Sequence, residues 1–358
     1  MRRIDGIIAK YLDTGRLSKE EIEFLLGLED EADLQKLFAL ANKVRERFVG
    51  NEVHLRGIIE FSNYCSRACL YCGISRHNRH LSRYRMDVEE ILEAAKEAVG
   101  MGFKTIVLQS GEDPFYSTST ITRLVSQIKA MDVAVTLSVG ERRREDYAAW
   151  KEAGADRYLL KFETSDPDLY RRLRPGCSMA QRLQCLTYLK DLDYEVGSGI
   201  MVGLPGQTLS SMADDILLMR KLQLSMVGIG PFIPHPATPL ASAQAGTASL
   251  TLKVLAVTRL MLPWANLPST TALGSVDREG RREGLLAGAN VLMLNVTPLK
   301  YRRLYEIYPA KAEVEDDPTA LKAAAVELVT RLGRRVSSGY GEGPKAMGIA
   351  NSELRMKS

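Results

Sequence analysis

The sequence predicts an α/β chain folded as a complete (βα)8 barrel of the TIM type, with a helical extension before it and a helical segment after it. Two observations carry that reading. From Val53 onward eight short β-rich runs alternate with helical patterns, which implies parallel strands joined by right-handed crossovers. Polar and glycine-rich motifs then follow the ends of the strands, where a barrel collects its reacting groups. At 358 residues the chain exceeds a usual single domain but suits a barrel with extensions. A doubly wound open sheet is the alternative for the same alternation.

Residues 1–50 read as the helical extension. Ser18-Lys-Glu-Glu21 is a capping box ahead of Ile22, Leu25 and Leu26; Leu34, Leu37, Phe38, Ala41, Val44 and Phe48 continue the helical period. The segment reads as a lid on the core. Residues 51–300 hold the barrel, with strands expected at Leu55–Phe61, Thr105–Gln109, Val133–Val139, Tyr158–Phe162, Val196–Val202, Met226–Gly230, Ser269–Leu273 and Val291–Asn295. Helical patterns fill the gaps, for example Val88, Ile91, Leu92, Ala95 and Val99 after the Asp87-x-x-Glu90 cap. Residues 301–358 supply a helix over Leu321–Leu332 that closes the barrel and a Gly-rich tail expected to be mobile.

Composition narrows the function classes. Charged residues make up 26% and the formal net charge is +4, with Lys and Arg spread along the chain, so nothing favours nucleic acid. Arg142-Arg-Arg144 reads as a solvated helix face. No run reaches the length of a membrane span, and the charged N-terminus lacks the apolar core of a signal peptide. The expected location is the cytoplasm, without membrane association. Five cysteines, three of them within eight residues, imply no disulfide framework.

Those three are Cys65, Cys69 and Cys72, spaced Cys-x3-Cys-x2-Cys just after the first strand. Three thiolates can hold three irons of a cubane cluster and leave the fourth open to a chelating small molecule. The spacing, with Tyr71 before the last Cys, resembles the signature of the SAM-radical superfamily, which implies S-adenosylmethionine (SAM) on the open iron. An exposed open iron also implies anaerobic or micro-aerobic conditions. A structural zinc site is the alternative, with His77 or His80 as the further ligand.

Other strand ends carry candidates. Gly111-Glu112-Asp113-Pro114 begins a loop beside the cluster motif and offers a carboxylate and backbone carbonyls to the SAM amino group; an ordinary β-to-α turn explains the same residues. Glu163 ends an apolar strand and is placed to accept hydrogen bonds from ribose, the alternative being a salt bridge to Lys161 or Arg182. Arg182 suits the SAM carboxylate by its forked geometry. The glycine-rich run Gly197–Gly206 suits close approach to a nucleoside, and no phosphate-cradling motif is present. Cys177 and Cys185 read as a loop thiol and a helix-core residue. His235 sits in a Pro-rich loop without an assigned partner.

Along nearly its whole length the sequence resembles the HydE-type FeFe-hydrogenase maturases, in the group that includes biotin synthase and methylornithine synthase. The resemblance rests on Ile59-Glu-Phe-Ser-Asn63 with the cysteines, Ser82-Arg-Tyr-Arg-Met86, Thr105–Pro114, Gly154–Leu160, Met201-Val-Gly-Leu-Pro-Gly-Gln-Thr208 and Met226–Pro236. It implies reductive cleavage of SAM to methionine and a 5′-deoxyadenosyl radical. It also implies a cysteine-bound iron carbonyl cyanide complex as substrate, the maturases HydG and HydF as functional partners, and an external electron donor. Cys65, Cys69 and Cys72 take the cluster role. Tyr71, Gly111, Glu112, Ser138, Glu163, Arg182, Met201, Leu204 and Ile229 take the SAM side. Gln109, Thr136, Lys161, Thr270, Thr271, Ala272, Met293, Tyr305 and Tyr308 take the substrate cavity. Two departures stand out. Some relatives carry a second cluster on three C-terminal cysteines, whereas Ala310–Thr319 has none, so one 4Fe-4S cluster is expected. Lys161-Phe-Glu-Thr164 replaces a pattern that often reads Arg-His-Glu-Thr, which changes the polarity of the pocket. A mutase such as methylornithine synthase and a non-catalytic iron–sulfur scaffold are the alternative functions.

Overall fold

The computed structural model describes residues 2–311 and 314–343. Eight parallel strands form a nearly closed barrel: β1 (Glu52–Ser62), β2 (Thr105–Ser110), β3 (Ala134–Ser138), β4 (Arg157–Leu159), β5 (Glu195–Val202), β6 (Met226–Pro231), β7 (Pro268–Ser269) and β8 (Val291–Asn295). They run in the order β6-β5-β4-β3-β2-β1-β8-β7. Between β6 and β7 the ring closes through the Met226–Asn266 bridge, with Val227 N–H donating to Asn266 O at 3.0 Å. Each βα crossover returns the chain to a parallel neighbour, so the strand ends that carry the motifs share one rim.

Three strands are shorter than the sequence suggests: β3 by one residue at each end, β4 and β7 more substantially. β4 stops at Leu159 because the chain turns out of the ladder before Glu163, whose φ of 67° is left-handed and incompatible with a regular strand. β7 stops at Ser269 because the Thr270 hydroxyl accepts the Leu273 N–H at 3.3 Å and starts a helix over Thr271–Val276. The Thr and Ala residues expected in a strand therefore sit at a helix N-terminus.

The N-terminal extension contains three helices, Arg3–Thr14, Lys19–Leu26 and Glu31–Val49. It is a flank rather than a lid. Tyr11 Oη donates to Leu260 O at 2.8 Å, and Lys253 Nζ to Leu28 O at 2.9 Å. Every residue of helix Ala248–Met261 from Thr251 on is buried, so this helix requires an outer layer and the extension supplies it. At the opposite end of the chain, helix Pro318–Arg331 leads to β9 (Arg335–Val336), which pairs with Glu52 and Val53 of β1. The Gly-rich tail expected to be mobile is tied across the N-terminal ends of the strands: Gly341 O accepts from Arg56 Nη2 at 3.1 Å and Asn266 Nδ2 at 3.0 Å, and Tyr340 O from Thr105 Oγ1 at 2.8 Å. The tail from residue 344 lies outside the described residues. Among the described residues no helix is long and apolar enough to cross a membrane.

Candidate active site

A cavity of about 390 Å³ opens at the C-terminal ends of the strands, and Cys65, Cys69 and Cys72 all line it. The loop that carries them is fixed by Asn63, just past β1. Its Nδ2 donates to Ser82 O and Leu304 O, both at 2.8 Å, and its Oδ1 accepts the Tyr84 N–H at 2.8 Å. Gly111 allows β2 to pass close behind, since a Cβ there would lie 2.2 Å from Tyr64 O and 2.8 Å from Cys65 Cβ. Burial pushes all three thiols up, Cys69 to about 11. Thiolates in such surroundings need a strong local positive charge, which bound iron supplies. His77 and His80 are exposed on the surface of the same loop.

Beside the thiols lies a buried charge network that joins four strand-end loops. Arg67, between Cys65 and Cys69, donates through Nε to Glu112 and through Nη2 to Glu141 at 3.1 Å. Arg182 stands with Nε 2.9 Å from Glu141 Oε1 and Nη2 3.5 Å from Glu112 Oε1. Arg174 Nη2 is 3.7 Å from Glu112 Oε1. Gly140, at φ 81°, is required here because a Cβ would fall 1.8 Å from Glu112 Cγ. Three guanidiniums against two carboxylates leave one surplus positive charge. Arg182 Nη2, Arg174 Nε and Glu141 Oε1 are buried without a hydrogen-bond partner. The two orphaned donors among them, Arg182 Nη2 and Arg174 Nε, fit an anionic group such as an amino-acid carboxylate.

Glu163 faces the same space. Lys161 Nζ stands 3.3 Å from its Oε2, but without hydrogen-bond geometry, and that buried oxygen remains unpartnered. Its left-handed backbone is held from behind by Asp215, which accepts from Ser165 N–H at 2.5 Å and Gln207 Nε2 at 3.3 Å. Gln207 in turn takes the Gly203 N–H at 2.8 Å and donates to Met201 O at 3.1 Å. Burial raises the Asp215 carboxyl to about 6.

Of the residues singled out in the sequence, Tyr71, Gly111, Glu112, Ser138, Glu163, Arg182 and Met201 line the cavity. Gln109, Lys161, Thr270, Thr271, Ala272, Met293, Tyr305 and Tyr308 line it as well, the last two from a segment whose Ile307 O accepts the Gly73 N–H of the cluster loop at 3.0 Å. Three do not reach it. Thr136 is fully buried within the barrel and Ile229 lies in the core. Leu204 packs with Leu169, Leu173 and Phe232 behind Tyr71 and Met201. Cys185 is a buried helix residue; Cys177 is half-buried, its Sγ 4.0 Å from Arg67 Nη1. His235 is buried with its ring against Gly73, and its Nε2 stands 3.6 Å from Glu306.

Other lining groups do not stand out in the sequence. Arg67 and Arg174 are ordinary arginines there, and only the fold brings them to Glu112. Glu60 had the signal that marks Glu163, a carboxylate within the apolar run Ile58-Ile-Glu-Phe61. It accepts from Asn295 Nδ2 at 2.7 Å and pairs with Lys311 at the cavity wall. The donor set fits a cubane cluster with an open iron and SAM: three cavity-facing thiols, a cationic surplus beside them, and the Glu163 carboxylate, whose buried Oε2 is ion-paired with Lys161 but accepts no hydrogen bond.

Comparison with known proteins agrees. A model described as the Radical SAM superfamily matches residues 59–219. The FeFe-hydrogenase maturase subunit HydE of Thermotoga maritima is 51% identical over 334 residues, covering 93% of this chain and 96% of that protein. The 3-methylornithine synthase of Methanosarcina acetivorans is 32% identical, covering 81% and 82%. The crystal structure of methylornithine synthase (PylB) superimposes with a TM-score of 0.80 at 28% identity, covering 93% of this chain and 97% of that one.

Proposed function

The chain belongs to the radical SAM superfamily and, within it, to the HydE-type FeFe-hydrogenase maturases, and from that premise we propose that it makes the 5′-deoxyadenosyl radical for use on a cysteine-bound iron carbonyl cyanide complex. The observation that carries the reading is one cavity lined by three thiols, a cationic surplus and several hydroxyls. Cys65, Cys69 and Cys72 would hold a single 4Fe-4S cluster, since no cysteine lies C-terminal to Cys185. When bound and reduced, the cluster supplies the electron that cleaves SAM. Arg182 and Arg174 hold the SAM carboxylate, and Glu163 accepts from the ribose hydroxyls. Met201 and Tyr71 cover the adenosyl group and keep water from the radical.

At the substrate end, Thr270, Thr271, Tyr305 and Tyr308 present hydroxyls around a metal-bound, polar ligand set. Arg281 Nη2 donates to Thr271 Oγ1 at 3.2 Å, which leaves that hydroxyl's own proton free to point at substrate. Residues 51–300 form the radical-generating barrel, and the C-terminal segment that closes it contributes Tyr305 and Tyr308. HydG as source of the complex and HydF as recipient are the partners consistent with this chemistry, in a reducing cytoplasm. The relationship to 3-methylornithine synthase favours a mutase as the second reading. Anaerobic incubation of the reconstituted, reduced protein with SAM and the HydG product decides between them. An adenosylated cysteine product supports the proposal, whereas 3-methylornithine formed in a parallel reaction with amino acids supports the second reading. Absence of 5′-deoxyadenosine in every reaction would leave only an iron–sulfur scaffold.

A further inference from the structure

We infer that the outer face of the cluster loop is the docking surface for an acidic, one-electron carrier protein. The inference rests on the radical SAM reading, because only a cluster that must be reduced needs such a partner. From Phe61 to Met86 the chain contains five arginines and no Asp or Glu, although acidic residues nearly balance basic ones over the whole chain. Their placement divides them by task. Arg67 belongs to the buried network. Arg83 is structural: it donates to the carbonyls of Ile74 at 2.9 Å, Ser75 at 2.7 Å and Asn78 at 3.1 Å and so fixes the loop over 73–83. Arg85 is paired with Asp113 at 2.8 Å. Arg76 and Arg79 are exposed and have no ion pair among the described residues, and exposed His77 and His80 flank them.

An apolar centre accompanies the charge. The Arg85 guanidinium lies 3.8 Å from the Tyr64 ring centroid and 4.5 Å from that of Phe115. Phe115 is 64% exposed and Tyr64 37%, two of the few large apolar side chains at the surface. Exposed aromatics stacked on an arginine, with unpaired arginines in the same 61–86 stretch, have the composition of a protein interface. The face also lies where an electron must enter. Tyr64 directly precedes Cys65, and the Arg76 N–H donates to Arg67 O at 2.9 Å between the first two cysteines. A redox centre docked here sits against the same loop that carries the thiolates. The carrier gives up one electron, the cluster gains it, and no atom or proton moves between them. Unpaired arginines select a negatively charged carrier and steer its approach.

The test uses the full, reconstituted protein and a purified acidic ferredoxin, with dithionite as a reductant that needs no docking surface. Arg76→Glu/Arg79→Glu should slow ferredoxin-driven reduction, followed by stopped-flow absorbance and electron paramagnetic resonance, by about tenfold or more at low ionic strength. The difference should shrink in high salt. Binding of the oxidised ferredoxin should weaken in parallel, and Phe115→Ala should weaken it with little change in salt dependence. Reduction by dithionite and the 5′-deoxyadenosine it yields should match the unsubstituted protein. Unchanged ferredoxin kinetics in the double variant would overturn the inference, as would equal slowing with dithionite, which would mean the arginines serve the cluster itself. Failure of the radical reading looks different, since the unsubstituted protein would then yield no 5′-deoxyadenosine with either reductant.

Discussion

Replacing Arg182 by alanine removes one guanidinium from a network of three against two carboxylates, so the surplus charge beside the thiols falls from +1 to zero. Two consequences separate. The first is on folding. Glu141, 3% exposed, keeps only Arg67 at 3.1 Å, and its contact with Arg182 at 2.9 Å is lost. Breaking a buried pair in this way costs about 3–5 kcal/mol. With an unfolding entropy of about 2.1 cal/mol/K per residue over 358 residues, that corresponds to a fall in Tm of about 4–7 °C. The second consequence is on SAM. Losing a charge-assisted hydrogen bond to a buried carboxylate costs about 2–4 kcal/mol, or about 30- to 700-fold in affinity. Calorimetric titration of SAM into the reconstituted variant, beside a thermal melt, reads both. Arg182→Lys keeps the charge without the fork and should fall between. If Arg182→Ala lowered Tm as expected but bound SAM within twofold of the unsubstituted protein, Arg182 would be a structural partner of Glu141, and the surplus charge would not be the SAM carboxylate site.

Cys69→Ala should lose or degrade the cluster, read as iron content and as the electron paramagnetic resonance signal, while far-ultraviolet circular dichroism stays native because the layered barrel core is independent of the loop; full SAM cleavage would refute the assignment. Iron and sulfide in the unsubstituted protein should each be about four per chain, and a reproducible value near eight would disprove a single cluster. Thr271→Val should leave SAM cleavage without substrate intact but lower the ratio of adenosylated product to 5′-deoxyadenosine. The Arg281–Thr271 hydrogen bond at 3.2 Å goes with it, and an unchanged ratio would remove Thr271 from the substrate side. Asp215 has its carboxyl raised from 3.8 to about 6 by burial. Its contribution to stability is therefore fully present below pH 4 and is lost as pH rises through about 6, by at most about 3 kcal/mol. Comparing Asp215→Asn with the unsubstituted protein over pH 4–7 should show their stability difference changing in that window, and a flat difference would contradict the buried, proton-binding carboxyl.

What the sequence determined by itself is local or periodic in origin. Cys65, Cys69 and Cys72 are legible because a loop chelate needs its ligands within a few residues. The strands β1, β2, β5, β6 and β8 are legible because a buried parallel strand is a short apolar run between turn signals. Glu163 stood out because a carboxylate at the end of such a run needs a reason. The tertiary structure decided what depends on contacts between distant segments. Only the fold joins Arg67, Glu112, Glu141, Arg174 and Arg182 into one network, since they come from four different strand-to-strand connections and none has a partner within helical or strand spacing. Glu60 acquires its partners from Asn295 and Lys311, more than two hundred residues away. The tail after β9 looks like a mobile terminus in sequence because glycine carries no side-chain signal, yet its backbone carbonyls are what the buried Arg56 and Asn266 require. The left-handed turn at Glu163 and the helix start at Thr270 likewise override strand propensity, because the bonds from the Glu163 N–H to Gly199 O and from the Thr270 hydroxyl to Ile229 O outweigh local preference.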